Sequence, residues 1–500
     1  MTKNIYFLLF FALPFISSAQ DIVFADSYFK NALLQCDPDN NMAKNLDGDY
    51  FKIDANNDGE IQQSEAAQVS ELMLASQEIA YFNGIDYFTN LVKLDCTNNG
   101  RTGTPLGSGS PISLDLSTMS NLKTLIAPSN KFYLGIGSFT NLEKLNINSS
   151  AGFSGTLDMT ALTHLKYLTC DHSNITGLNL NGLVELDTLT ASHNDIATID
   201  LSQLAHLKLV DLSWSEVTSL DLSNHVELEI LDCQHSAVAT LNVNGCSNLK
   251  RLKCQNSYLT SLDAGNLSHL EELFANSSEL ASLNVTGDNK LKILNAEFCQ
   301  LTQLDASNLP LLEELRVTGN QLTSLNIAGS TLLHRITCEG NQLTTLNCND
   351  LVNLQSLVCH DNPLQTLYIK NGVDEVELLI NENTSLEYIC ADASQVTAIQ
   401  TLIADMHPDC VVDSNCLLQT EKFTQQNAIA LHPNPAHDIL NIETNDAIII
   451  SKINVYNFLG QLVLSSDAKT AIDVSGLQDG NYFLKITSNS GSIVKRFVKN

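Results

Sequence analysis

Leu165-Lys166-Tyr167-Leu168-Thr169-Cys170-Asp171-His172-Ser173-Asn174-Ile175-Thr176-Gly177-Leu178 returns 21 residues later as Leu186-Asp187-Thr188-Leu189-Thr190-Ala191-Ser192-His193-Asn194-Asp195-Ile196-Ala197-Thr198-Ile199. With the second Leu of each Leu-x-x-Leu as anchor, the series runs Leu168, Leu189, Val210, Leu231, Leu252, Leu273, Leu294, Leu315, Ile336 and Leu357, nine steps of 21 without insertion. Earlier anchors at Leu72, Leu94, Leu125 and Leu145 are spaced 22, 31 and 20, so the array starts irregularly. Apolar residues recur seven past the anchor (Ile175, Ile196, Val217, Val238, Leu259) and ten past it (Leu178, Ile199, Leu220, Leu241, Leu262). One such unit cannot bury its own apolar face, so units stack, and the strand around each anchor pairs with its copy about 4.8 Å away in the next unit. The pattern predicts a solenoid with a curved parallel sheet.

These units resemble the leucine-rich repeat, Leu-x-x-Leu-x-Leu-x-x-Asn-x-Leu, over residues 69–390. The resemblance implies a parallel sheet on the concave face of a solenoid of 21-residue repeats. Two residues past the anchor the side chain points inward, and Cys96, Cys170, Cys233, Cys254, Cys338 and Cys359 stand there. Cysteine serves at such a position as a small buried apolar group, and the column resembles the cysteine-containing repeats of internalins. Five past the anchor, Asn99, Asn130, Asn194, Asn320, Asn341 and Asn362 occupy the site where the family's Asn bonds turn backbone. Ser173, Ser215, Ser236, Ser257, Ser278 and Cys299 depart from it, so the middle repeats should have a weaker backbone ladder. Cys390, Cys410 and Cys416 lie off the cysteine column, where a disulfide from Cys390 to Cys410 or Cys416 would staple the last coil. Cys36 has no obvious partner.

The 500 residues are 16% charged and 44% apolar, which excludes general disorder. A formal charge of −30, from 26 Lys and Arg against 56 Asp and Glu, disfavours nucleic acid, because phosphate contacts need clustered cations. Residues 423–500, by contrast, hold six basic and six acidic side chains and form a compositionally separate piece. At the other end, Lys3 precedes an apolar run from Ile5 to Ile16, followed by Ser17, Ser18 and Ala19. This reads as a signal peptide cleaved after Ala19, since the run is shorter than the about 18–20 residues a spanning helix needs. No other stretch is long and apolar enough to span, so an exported protein with no transmembrane segment in its mature form is expected.

Asp54-Ala55-Asn56-Asn57-Asp58-Gly59-Glu60-Ile61-Gln62-Gln63-Ser64-Glu65 resembles an EF-hand loop. The resemblance implies Ca2+ held by Asp54, Asn56, Asp58, the carbonyl of Glu60, a water on Gln62 and both oxygens of Glu65. Gly59 would make the sharp turn and Ile61 point inward. A helix is expected after Glu65, through Ala66, Val69, Leu72 and Met73. Asp37, Asp39, Asp47 and Asp49 offer acids for a second site, without a Gly or terminal Glu at the required spacing.

After residue 422 the 21-residue period gives way to alternating strands and turns, over Asp438 to Ile442, Ile453 to Tyr456, Gln461 to Leu464, Tyr482 to Ile486 and Ile493 to Val498. A small all-β sandwich is expected. Leu431-His432-Pro433-Asn434-Pro435-Ala436, Val455-Tyr456-Asn457-Phe458-Leu459-Gly460, Gly480-Asn481-Tyr482 and Lys495-Arg496-Phe497-Val498-Lys499 resemble the C-terminal sorting domain of the Bacteroidetes type IX secretion system. That resemblance implies an address read by the secretion machinery at the outer membrane. The organisation is therefore a signal peptide over 1–19, an N-terminal cap with the calcium loop over 20–68, repeats over 69–390, a C-terminal cap and linker over 391–422, and the sorting domain over 423–500.

Side chains one before, one after and three after the anchor face the concave side, and four after lies at its rim. The rim column reads His172, His193, Trp214, His235 across four consecutive units, beside Tyr167, Asp171, Thr190, Asp211, Asp232 and Gln234. Trp214 should be exposed, and aromatic groups beside carboxylates suit a protein or glycan ligand. The expected function is non-catalytic binding or adhesion at the cell surface or in the secreted state. The rival readings are a secreted polysaccharide-active enzyme and a structural envelope component without a discrete ligand. No Gly-x-Ser-x-Gly, His-Glu-x-x-His or phosphate loop appears.

Overall fold

The computed structural model describes residues 20–99, 113–114, 119–130, 133–134, 140–150, 155–416, 429–444, 450–457, 461–467, 470–488 and 491–500. The expected signal peptide over 1–19 and residues 417–422 of the expected linker lie outside them. Two compact units divide between Ser414 and Asn415.

The first unit is a parallel β-solenoid. Its long sheet has 16 strands, running from Ala43–Asn45 and Val69–Met73 to Glu377–Leu379. Anchor pairs with anchor throughout: Leu72 with Leu94, Leu94 with Leu125, Leu125 with Leu145, Leu145 with Leu168, and on coil by coil to Leu357 with Leu378. The irregular early spacings therefore change loop length and leave the register intact. The opposite side carries short parallel pairs that periodicity alone did not reveal, such as Ser219–Asp221 with Thr240–Asn242 and Ser261–Asp263 with Ser282–Asn284. Leu220 and Leu262, ten past their anchors, are the inward residues of these strands.

The difference between Asn and Ser rungs is visible bond by bond. Asn194 donates to the carbonyls of Cys170 at 2.9 Å and Ala191 at 3.0 Å and accepts from the N–H groups of Ser173 and Ile175, tying two coils together. Ser215, Ser236 and Ser257 each donate only to a carbonyl three residues back in their own coil. A hydroxyl has one proton to donate where an amide has two, so at these three rungs the donor is used within the coil and the cross-tie made by Asn194 is missing. Ser173 and Cys299 still reach the preceding coil, at the carbonyls of Ile147 and Ala275.

The six column cysteines are buried free thiols, and desolvation pushes those of Cys96 and Cys170 well up. Cys390 and Cys416 are disulfide-bonded, whereas Cys410 is a free, half-buried thiol. Cys36 is buried, its thiol 3.4 Å from the Ala32 carbonyl.

At the N-terminal end, Asp26 caps the helix Ser27–Leu34 by accepting from the N–H groups of Tyr28 and Phe29. Its other oxygen accepts from Ala80 and Tyr81, fastening the helix to the first coil. The helix expected after Glu65 stops at Ala66, and Val69–Met73 is a strand. Pairing of Leu72 with Leu94 demands extended backbone there, and that tertiary demand overrides the helical reading. At the other end Ile399 and Ile403 of the helix Val396–Ile403 are buried as the cap of the last coils.

The second unit has two antiparallel sheets. One joins Ile429–His432, Ile439–Thr444 and Ala471–Asp473; the other joins Leu462–Ser466, Ile450–Asn457, Gly480–Ser488 and Gly491–Lys499. Leu440 and Ile472 from the first meet Ile453, Val455, Leu484 and Phe497 from the second in one core, as a sandwich requires. The first and fifth of these strands in chain order were absent from the sequence reading.

Candidate functional site

The rim column is a continuous stack of rings. Ring centroids lie 4.0 Å apart for His172 and His193, 5.3 Å for His193 and Trp214, and 4.0 Å for Trp214 and His235, with interplanar angles of 24°, 19° and 11°. In-register coils place the same offset above itself, so the geometry follows from the repeat. Trp214 is 49% exposed, but His193 and His235 cover both of its faces. It presents an edge to solvent rather than a face. Asn256 closes the His235 end, its Nδ2 lying 3.4 Å from His235 Nε2.

The backbone beneath the stack is in the left-handed region. His172, His193, Trp214 and His235 have φ between 53° and 55°. This conformation suits Gly or Asn and costs about 1–2 kcal/mol for other residues. Phe298, four past Leu294, shares the column with φ 53° and is 60% exposed. The sequence reading stopped at four units and missed it, although the same offset arithmetic reaches it. Gly319 in the next coil explains how it fits: a Cβ there would meet Phe298 Cδ1 at 2.7 Å.

The expected polar neighbours lie on the long-sheet face. Asp171 accepts from Thr190 Oγ1 at 2.9 Å, Ser192 N–H at 2.8 Å and Ser192 Oγ at 3.0 Å. Tyr167 is 43% exposed at the start of this series. Asp211 and Asp232 are register partners on adjacent strands, and Asp232 has Lys253 Nζ at 3.5 Å and Gln234 Nε2 at 3.2 Å. Burial first, and the Asp211 charge next, hold the Asp232 carboxyl above its ordinary range. Asp232 is therefore partly withdrawn from water. Burial, then His172, holds the His193 imidazole below its ordinary range, which keeps that ring neutral at neutral pH.

A groove of about 370 Å³ opens beside the Trp214 and His235 half of the stack. Ser215, Ser236 and Ser257 lie along it, with Trp214 and His235 on one flank and Glu216 and Tyr258 on the other. Glu216 and Tyr258 were not singled out in the sequence; they stand six past their anchors, an offset without a conserved apolar pattern to mark it.

In the loop from Asp54 to Glu65, the N–H groups of Ala55 and Gln62 donate to the two oxygens of Glu65 at 2.9 and 3.0 Å. Those of Asp58 and Gly59 donate to Asp54 at 3.2 and 3.3 Å. Asn56 and Gln62 amides bond Asp58, whose carboxyl is held low first by the Glu60 N–H. Gly59 turns at φ 81° and Ile61 is buried. The Glu60 side chain pairs with Lys30 at 2.7 Å, leaving its carbonyl as its contribution to the loop. The donor set is entirely hard oxygen, which fits calcium; among the described residues no three His, Cys, Asp or Glu converge as a metal cluster. Around the other acids, Asp37 and Asn45 bond nearby loop N–H groups in local turns.

The last unit decides where the protein goes. Residues 430–500 match the secretion system C-terminal sorting domain. The protein is thus exported across the outer membrane and is secreted or held at the cell surface. No helix among the described residues is long and apolar enough to cross a membrane. Beta-agarase D from Zobellia galactanivorans is 39% identical over 69 residues, which is 14% of this chain and 14% of that enzyme. A stretch of that extent carries no inference about hydrolysis. The functional domain of InlJ from Listeria monocytogenes, which includes a cysteine ladder, superposes with a TM-score of 0.55 at 21% identity, over 88% of this chain and 93% of that one. The likeness establishes a leucine-rich-repeat type of solenoid. The internalin InlF from Listeria monocytogenes is more distant, with a TM-score of 0.42 at 17% identity over 75% of this chain and 98% of that one.

Proposed function

We propose that this is a non-catalytic binding protein that presents its solenoid outside the cell to a protein or glycan ligand. The observation that carries the reading is the ring stack from His172 to His235. Four bulky rings occupy left-handed positions where Gly or Asn would be cheaper, and they remain at the surface. The same left-handed turn recurs at this offset in other coils, where Asn98, Ser129, Asn256, Ser277, Gly319 and Asp361 stand, so the run of exposed rings rather than the backbone marks the site. Tyr167, Asp211 and Asp232 border the same contact surface. The test is a glycan and protein array probed with the wild type and Trp214→Ala. Loss of the stack's central ring should weaken the ligand by about tenfold, a change of about 1.4 kcal/mol. Its melting temperature should barely move, since Trp214 is exposed. Undiminished binding by a folded Trp214→Ala protein would locate the ligand elsewhere.

The enzymatic alternative has one observation in its favour, the desolvated Asp232 beside Asp211. A glycosidase pair flanks the scissile bond, whereas side chains of in-register parallel strands run side by side. Lys253 also already pairs with Asp232. We therefore favour binding; measurable polysaccharide cleavage that disappears in Asp232→Asn would reverse this preference.

We also propose that Asp54, Asn56, Asp58, Glu65, the Glu60 carbonyl and a water on Gln62 hold one calcium ion that tightens the N-terminal cap. Calcium at about 100 times its Kd should stabilise the cap by about 2.7 kcal/mol. Melting with calcium and with a chelator should separate accordingly, and Glu65→Gln should abolish most of the difference. Identical melting under the two conditions would remove calcium from the description of the cap.

A further inference from the structure

The groove beside the ring stack narrows the class of ligand. We propose that it binds an uncharged oligosaccharide lying along the solenoid axis, an inference that rests on the binding function above. At about 370 Å³ it falls within the range of roughly 300–1,000 Å³ typical of small-molecule sites. Its lining spans the coils of Trp214, His235, Asn256 and Ser277, roughly 14 Å at about 4.8 Å per coil, the length of about three linked sugar rings.

Three features decide the chemistry. Among the described residues no Lys or Arg lines the groove, and the chain carries a formal charge of −30, which disfavours an anionic ligand. The backbone is closed to strand addition: the N–H groups of Trp214, His235, Asn256 and Ser277 donate to the carbonyls of Gln234, Gln255, Asn276 and Glu297 at 2.8 to 3.0 Å. An extended peptide is usually held by main-chain bonds to an open sheet edge, which this flank lacks. What remains is side-chain chemistry suited to hydroxyl groups. Trp214 offers its indole edge, His235 an imidazole edge, and Glu216 a carboxylate that enters no ion pair among the described residues. Tyr258, 61% exposed, supplies both a phenol and an aromatic surface for the C–H face of a sugar.

The groove also coincides with the Ser rungs. Ser215, Ser236 and Ser257 turn their hydroxyls inward to their own coils, so the floor lacks both an amide cross-tie and an outward polar group. The family's Asn is replaced along the length of this groove, and the face-covered stack beside it leaves Tyr258 as the stacking platform.

Trp214 is the only tryptophan in the chain, so its emission reports directly on the groove. The full chain should be titrated with uncharged glucose and galactose tetrasaccharides of differing linkage, with an oligogalacturonate as the anionic probe and a lysine-rich peptide as the cationic one. We expect saturable change with at least one uncharged sugar, weakened about tenfold or more by Tyr258→Ala and by Glu216→Gln. Asp350→Asn, at an exposed turn in a coil outside the groove and the ring stack, should leave that affinity unchanged, and Asp211→Asn probes the long-sheet face. Melting curves confirm that each variant is folded. Binding of only the anionic or the peptide probe overturns the sugar assignment while keeping the binding function. Sugar binding lost in Asp211→Asn but retained in both groove variants moves the ligand to the sheet face and overturns the groove. Failure of every uncharged sugar overturns the proposal outright, and a protein-array ligand lost in Trp214→Ala would still leave the broader function standing.

Discussion

Removing residues 423–500 should leave the solenoid folded and abolish its passage across the outer membrane. The two units have separate cores: Leu440, Ile453, Val455, Leu484 and Phe497 pack with one another, and none belongs to the apolar cluster that runs through the coils. Cutting at 423 retains the disulfide-bonded Cys416 and the cap helix Val396–Ile403, so no hydrophobic layer of the first unit loses its cover. The missing piece is the one that matches the sorting domain. The effect is therefore on location and close to all-or-none. Fractionation should find wild type outside the outer membrane and the truncated chain inside it, with the circular dichroism and melting of a folded solenoid. Normal surface display of the truncation would disconnect the sorting domain from export. Misfolding of the truncated chain would instead show that the first unit does not stand alone.

The repeat was legible because one period controls three independent columns. Leucine at the anchor, cysteine or a small apolar residue two past it, and Asn or Ser five past it all agree on 21 residues, and a slip of one would expose every column at once. The same arithmetic placed His172, His193, Trp214 and His235 in one file. It could not say that the rings face one another, because the angle of a ring about its own bonds is set by its neighbours and not by its offset. The consequence is chemical: with His193 and His235 against its two faces, Trp214 offers a ligand its edge. Glu216 and Tyr258 stayed hidden for a different reason. A groove is a relation between coils, and these residues follow no repeating residue type. The stretch from Val69 to Met73 shows the limit of local pattern, since helical spacing and strand register competed for the same residues and the sheet won.

Asp288 should make the solenoid lose stability as pH rises, by several kcal/mol in total. It is fully buried, and its carboxyl is pushed up to about 8 by desolvation, with Asp263 adding to the shift and the Leu267 N–H opposing it. Leu267 donates to Oδ1 at 2.8 Å, while Oδ2 has no partner among the described residues. Other coils show what the position requires. Ser330 accepts from the Leu309 N–H and donates to the Ala306 carbonyl at 2.7 Å, and Cys246 reaches the Leu222 carbonyl at 3.2 Å. In both cases the acceptor lies 24 residues earlier. By analogy with those coils, a protonated Asp288 would supply the donor for the Ala264 carbonyl, 24 residues earlier, whereas an ionised one leaves a buried charge. Its folded-state pKa lies above the unfolded value of about 3.9, so the folded state binds the extra proton between the two. The stabilising contribution is complete below about pH 4 and is lost progressively as pH rises to about 8, at roughly 1.4 kcal/mol per pH unit. The chain's overall negative charge also opposes folding at high pH, so the diagnostic quantity is the difference between wild type and Asp288→Ser. The variant reproduces the Ser330 arrangement and should melt higher than wild type at pH 8, with the gap closing at pH 5. A gap that is the same at both pH values would mean that Asp288 does not change its protonation on folding.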